Sequence, residues 1–312
     1  MKLLFATDLH GSDLVFDKCL RLLRNGTADV VLLGGDLAGK GLVPILQKGE
    51  THTVYDNNSR TRVLFNEELN LYKRQISGIG LYPYVCDEEG FHQVQADSAL
   101  REQILQRLRS DRLADWARRA RFDAAPDRVL FNLGNDDPFY LDDVLRRGTG
   151  FEPLEYRNVA LDGSFVIVSC GYTNMTPWQC PRDVPEDHLR QILRQKFDGQ
   201  NDMRHVIANL HCPPLGTTID RAPLLDSELR PIIGVDGVEL ANVGSTAVRW
   251  CIEHYQPVLA LHGHIHEAYG KERIGDTLCV NPGSSYHTGE LRAALVHINR
   301  GVIEGVQLVR EH

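Results

Sequence analysis

Five short runs of uninterrupted apolar residues, each closed by a polar ligand-type residue, limit this fold most strongly. Residues 2–7 read KLLFAT and residues 28–36 read ADVVLLGGD; similar runs precede Asn135, His211 and His264. A run without polar alternation suits a strand covered on both faces, as in the parallel sheets of α/β proteins. Between the first two runs, SDLVFDKCLRLLRNG offers an N-cap serine, apolar positions at Leu14, Phe16, Leu20 and Leu23, and an Asn-Gly stop. The chain therefore opens as a βαβ unit with a parallel sheet.

From about Gly39 the pattern changes. Polar stretches such as GETHTVYDNNSR sit beside helical ones, VLFNEELNLYKRQIS and DSALREQILQRLRSDRLADWARRARF. A structureless loop of that length is improbable, so residues 40–127 read as an inserted, mainly helical subdomain within one 1–312 domain. Alternation returns with the strand DRVLFNLGNDD and a hairpin about Asp162-Gly163. The helix EDHLRQILRQKF, the strand RHVIANLHCPP and the helix STAVRWCIEHY follow. The strands PVLALHGHIHE and TLCVNPGSS come next, then a C-terminal hairpin turning at Asn299–Gly301.

Composition, at 42% hydrophobic and 24% charged residues, is that of a soluble globular chain. No apolar run is long enough to span a bilayer, and KLLFAT is too short for a secretory signal. Seven scattered cysteines without a CxxC pair read as reduced thiols in a cytoplasmic protein. A net charge of −8 argues against a general nucleic-acid binder.

The polar residues that close the five runs are Asp8 and His10, Asp36, Asn135, His211, and His264 with His266. Ligands bind beyond the carboxyl ends of the strands in open α/β sheets, and all five clusters occupy that place. An i, i+2 pair in extended chain projects from one side, so Asp8 is expected beside His10 and His264 beside His266. Singly, an Asp-x-His or Gly-Asp at a strand end is an ordinary turn. Five together are not plausibly independent. Two carboxylates, one amide and four imidazoles suit two borderline divalent ions better than one Ca²⁺ or Mg²⁺.

DLHG, GGD, GND, LH and GHIH, in this order, resemble the motif set of the calcineurin-like metallophosphoesterases over residues 1–40 and 128–312. NPGSS at 281–285 is similar to the turn after the His-x-His motif in small bacterial members. The resemblance implies a four-layer αββα sandwich with a dinuclear metal site at the strand C-terminal edge. Under it Asp8, His10 and His266 hold one ion, Asn135, His211 and His264 hold the second, and Asp36 bridges. It implies a hydrolase of phosphate esters in which metal-bridging hydroxide attacks phosphorus. The expected cofactors are two divalent cations, manganese first, with iron, zinc or magnesium as alternatives. The expected partner is a small phosphorylated or nucleotide-like substrate, without membrane or nucleic acid; a homo-oligomer stays open.

Two departures stand out. Where the family often has Gly-Asn-His, this chain has Gly134-Asn135-Asp136. Asp136 is either a catalytic acid, which requires a raised pKa that nearby cations oppose, or structural. A weakened acid favours substrates with stable leaving groups, so phosphodiesters are somewhat preferred. The second departure is the 40–127 insertion, a possible cap, where His52, Tyr55, Arg60 and Arg62 are candidate phosphate or base contacts. Asn174, Trp178, Tyr286 and His287 are further cleft candidates. GGDLAGKG at 34–41 imitates a P-loop but has glycine where Ser or Thr is needed, and Pro44 follows. The rival readings are a metal-binding, non-catalytic scaffold of the same fold, and a phosphomonoesterase or nuclease.

Overall fold

The computed structural model describes residues 1–55, 61–123, 128–235 and 237–312. Among these described residues, two large sheets carry a mixed α/β fold. The first sheet has five strands, in the order Val302–Glu311, Leu291–Asn299, Lys2–Ala6, Val30–Leu33 and Val129–Phe131. Its last three are parallel, with Leu3 opposite Val30 and Val31 opposite Val129. The second has six strands, in the order Gly270–Ile274, Thr277–Asn281, Leu259–Leu261, Val206–Leu210, Phe165–Cys170 and Val159–Leu161. Its four central strands are parallel and each edge is an antiparallel hairpin partner.

Strand periodicity of two divides each run between two cores. Leu3, Phe5 and Leu32 face Ile167, Ile207 and Leu261 in an apolar cluster between the sheets. The alternate residues Leu4, Ala6, Val31 and Leu33 pack outward against α1 (Asp13–Arg24). On the far side, Val168, Ala208 and Ala260 pack against α6 (Glu186–Phe197) and α7 (Thr246–Tyr255). Both faces of both sheets are thus buried, which explains the unbroken apolar runs. Ser12 accepts from Val15 N and Ser245 from Ala247 and Val248 N, capping α1 and α7.

Segment 40–127 departs from the mainly helical expectation. Beside α2 (Asn66–Gly78), α3 (Glu88–Ala96) and α4 (Ser98–Asp123) it carries a sheet ordered Thr61–Leu64, Thr51–Tyr55, Gly41–Lys48, Leu81–Cys86. Thr51–Tyr55 and Thr61–Leu64 are short and largely polar, GLVPILQK and LYPYVC bury one or two side chains each, and the sheet's core is a satellite of Ile45, Val54, Leu64 and Leu69, so apolar periodicity signals these strands weakly. Pro44 lies where its strand has a neighbour on the Leu81–Cys86 side only, a position that tolerates a missing N–H. Nor is the whole segment peripheral. Leu113, Trp116, Ala117 and Ala120 of α4 join the main outer core, where Trp116 stacks on Phe16 at 4.5 Å and donates to Asp13 Oδ1 at 2.6 Å.

Candidate metal centre

Parallel strands bring their carboxyl ends to one edge. Ala6, Leu33 and Phe131 end adjacent strands of the first sheet; Leu210 and Leu261 end adjacent strands of the second. The loops leaving these five ends hold all seven expected ligand residues. Ligand atoms of Asp8, His10 and His266 lie within 4.8 Å of one another. The same limit joins Asp36, His211 and His264, and again His10, Asp36 and Asp136. Asn135 Oδ1 sits 3.0 Å from His264 Nδ1.

The local reason for this convergence differs from the expected one. The strands have already ended, and Asp8, His10, Asp36 and His264 take φ of 55°, 42°, 51° and 65°. Left-handed backbone is uncommon for residues other than glycine, is adopted by Asp and His more readily than by most, and concentrates at functional sites. The turn at His264 sends it and His266 to different groups, which extended chain would not do. Past the strands, hydrogen bonding continues from Asp8 N to Gly35 O and from His10 N to Asp36 O, both 2.9 Å, holding the loops in register. A Cβ on Gly134 would stand 2.2 Å from Asp36 Oδ1, and one on Gly263 2.3 Å from Asp8 Oδ2. Only glycine lets those backbones approach the carboxylates.

Further groups orient the ligands. Asp183 Oδ1 accepts from Asn135 Nδ2 at 2.8 Å, which turns the Asn135 carbonyl oxygen toward His264. The same carboxylate accepts from Thr173 Oγ1, Thr176 N and Cys180 N. Asp137, the second aspartate of GNDD, accepts from the N–H groups of Leu37, Ala38 and Gly134. Burial first, and then the Asp36 charge, pushes its pKa up to about 7. His262 Nδ1 donates to the Leu210 and Cys212 carbonyls, and burial lowers its pKa to about 4, keeping it neutral. Ser284 Oγ donates to Asp8 O, and Asn281 Nδ2 donates to Ile265 O, so the NPGSS turn fastens the loops of Asp8 and the histidines.

The electrostatics ask for cations. Burial opposes the charge of Asp8 and Asp36, yet the imidazoles around them, His211 foremost, hold both carboxyls below the usual range. His211 Nε2 lies 3.3 Å from Asp36 Oδ2 and 3.7 Å from Asp8 Oδ1. Burial opposes its protonation too, but Asp36 overrides it and raises the His211 pKa to about 9. Nδ1 of His211 is buried without a hydrogen-bond partner, and its Nε2 faces the Asp36 and Asp8 carboxylates at ion-pair distances without an aligned hydrogen bond. His10 Nε2 and His266 Nε2 face one another at 3.1 Å. Converging lone pairs and buried carboxylates, with nitrogen and oxygen donors, fit divalent metal ions.

The centre floors a cavity of about 610 Å³. Asn174, Trp178 and Tyr286 line it, whereas His287, His52, Tyr55 and Arg62 do not; Arg60 lies outside the described residues. Of the described part of 40–127, Lys40 alone reaches the lining, so walls expected from that segment come instead from residues 174–180 and 222–231. Tyr55 packs on Phe91 instead, at 5.4 Å. Asp136 pairs with the Lys40 ammonium and accepts from the Cys180 thiol. Burial opposes the Lys40 charge, but Asp136 outweighs it and raises the Lys40 pKa.

Lys40 lies in the P-loop-like segment 34–41 that the sequence pointed out, whereas Asp137, Asp183 and His262 were not singled out from sequence as groups of the site. His262 and Asp137 adjoin proposed ligands, which was the available signal; Asp183 gave none, being 48 residues from the amide it orients.

Comparison with known proteins shows the fold. No family model matches the chain. Over 133 residues it is 26% identical to uncharacterized protein MJ1162 of Methanocaldococcus jannaschii, covering 42% of this chain and 54% of that protein. The chain thus spans about half the length of the curated relative it matches. TT1561 of Thermus thermophilus aligns with a TM-score of 0.52 at 13% identity, over 99% of this chain and 97% of its own. A further crystal structure aligns at 0.55 and 15% identity, over 99% and 98%. These likenesses establish a shared mixed α/β architecture. No described helix is long and apolar enough to cross a membrane.

Proposed function

We propose that this protein is a dinuclear metal-dependent phosphoester hydrolase of the calcineurin-like type. The observation that carries the reading is the convergence at His211: fully enclosed, its Nε2 meets two buried carboxylates at 3.3 and 3.7 Å, and its ligand atom lies within 4.8 Å of those of Asp36 and His264. A histidine that served packing alone would not gather two buried carboxylates and a second imidazole. Asp8, His10 and His266 would hold one cation, Asn135, His211 and His264 the other, and Asp36, grouped with residues of both sets, would lie between them. Divalent ions so held supply Lewis acidity toward a phosphoryl group and lower the pKa of water. We take manganese first, with iron, zinc or magnesium as alternatives, because the donors mix imidazole with oxygen.

The chain's own residues do the rest. Lys40, paired with Asp136 beside His10 and Asp36, presents a cation to the cavity suited to phosphoryl oxygens. Asp136 is committed to Lys40 and Cys180, and so reads as a positioning group. This supports a preference for phosphodiesters or other esters whose leaving group needs little protonation. The three apolar layers support the αββα sandwich, with 40–127 as an insertion whose last helix belongs to the main core. Seven cysteines without a disulfide fit a reducing, cytoplasmic setting.

Metal-free protein should hydrolyse bis-p-nitrophenyl phosphate only after Mn²⁺ is restored, and faster than p-nitrophenyl phosphate. Asp36→Ala should lose more than about a hundred-fold in rate, beyond what outer groups cause, and bind fewer than two ions by elemental analysis. Full activity and full stoichiometry in Asp36→Ala would overturn the site. Two ions bound with no turnover of either ester would favour a non-catalytic scaffold.

A further inference from the structure

The cavity over the metal centre has two unlike halves. Its floor is the polar set His10, Asp36, Asn135, His264 and His266; the apolar part of the lining is Met175, Pro177, Trp178, Leu224, Leu225 and Leu229. Among the described residues, Lys40 supplies the side-chain ammonium of the lining, which holds no arginine there and includes the acidic Asp36, Asp136 and Glu267. Beyond the floor, the described lining offers a further phosphate no second cationic side chain. A single phosphoryl group needs only the floor and Lys40.

The apolar wall is a built feature. It rises on an arm made of Arg221–Pro223 paired with Leu240–Asn242, a bridge from Leu225 to Pro231, and the small hairpin Ile233–Gly234 with Gly237–Val238. Fully buried Asp220 fixes both roots of the arm: it accepts from the N–H groups of Gly216 and Thr217 before it and of Gly244 after it, and from Asn242 Nδ2. Its apolar side chains do not pack into the core. Leu224 and Leu229 are 39% and 43% exposed, and Met175 and Trp178, from the other lining loop, are 52% and 59% exposed. An apolar surface of this extent, continuous with a polar centre, marks a ligand groove.

We propose that the substituent carried by the substrate's phosphoryl group is apolar, an alkyl or aryl chain lying between Trp178 and Leu229, so that the substrate class is an amphiphilic phosphoester. This rests on the metal-hydrolase reading, because phosphorus at the floor is what aims the substituent at the wall. Leu224, Leu225 and Leu229 are then specificity-determining residues.

The test uses metal-loaded full-length protein and uncleavable methyl-, butyl- and octylphosphonate, with binding followed by calorimetry and by tryptophan fluorescence. The dissociation constant should fall about three- to four-fold for each methylene buried, and adenosine 5′-monophosphate should gain nothing comparable. The fluorescence change should vanish in Trp178→Phe. Leu229→Asn should flatten the chain-length dependence; φ is 59° there, a conformation Asn tolerates. Leu71→Asn, exposed and outside the lining, should keep it. Sedimentation with phosphatidylcholine vesicles carrying phosphatidic acid separates two sources of the chemistry: binding there points to a membrane lipid, and binding of the free phosphonates alone to a soluble ester. Equal affinity for methyl- and octylphosphonate with two ions bound would overturn the proposal and leave the metal centre standing. So would self-association that already shields Trp178. Protein that binds no metal would overturn the hydrolase reading itself.

Discussion

Asp183 lines no part of the cavity, yet it decides which end of the Asn135 amide faces His264. Its carboxylate also gathers Thr173, Thr176 and Cys180, so the loop over the centre is tied to the group that aims a ligand. Outer partners of this kind change metal affinity by about 10–100-fold. Asp183→Ala should therefore weaken one of two ions by that range while the other keeps its affinity, measured by competition against a chromophoric chelator. Equal weakening of both would show that Asp183 acts through the fold as a whole. The seven ligand types were legible in sequence because each closes an apolar run. Asp183 was not, because its role arises only when residues 173–183 fold back over residue 135.

Among the elements, the short segment around Arg182 bears the greatest local burden. Arg182 is fully buried, pairs with Asp142 at 2.8 Å, lies 4.6 Å from the Phe139 ring centroid, and donates to Asp137 O at 3.2 Å. It joins α5 (Tyr140–Thr149) to the loop that carries Asn135 and Asp137. Removing one member of a buried ion pair strands the other, at a cost of about 3–5 kcal/mol. Arg182→Met should lose that much in urea unfolding, and Arg182→Met with Asp142→Leu should recover a large part of it. A double variant no more stable than the single would show that the hydrogen bond to Asp137 O matters more than the ion pair. Element types were readable where periodicity was strong: α1, α6 and α7 follow their apolar spacing, and hairpins turn at Asp162-Gly163 and Arg300-Gly301. The sheet within 41–86 was not readable, since strands such as THTVY bury one or two side chains each.

At the scale of the whole molecule, α4 settles how the inserted segment relates to the rest. Trp116 is 1% exposed and stacks on Phe16 of α1, so the segment's last helix is part of the layer covering the first sheet. Truncating a buried tryptophan costs about 3–5 kcal/mol. Trp116→Ala should shift the main unfolding transition by that amount, seen alike by far-ultraviolet dichroism and by metal release. A separate early transition with metal retained would mean that the segment unfolds by itself.

Outside residues 40–127 the sequence by itself determined the order of the main strands and helices, the burial of the central strands on two faces, and the residue types that close them, because these follow from local periodicity and side-chain chemistry. The grouping of those residues, which the motif resemblance implied and local periodicity did not, takes its geometry from the tertiary structure. Left-handed backbone at Asp8, His10, Asp36 and His264 replaces the extended geometry that spacing suggested, and it sends His264 and His266 to different clusters. The tertiary structure also decided that the arm at 221–242, rather than the segment 40–127, forms the cavity's apolar wall. Both depend on contacts between residues far apart in the chain, and no local propensity encodes a contact of that kind.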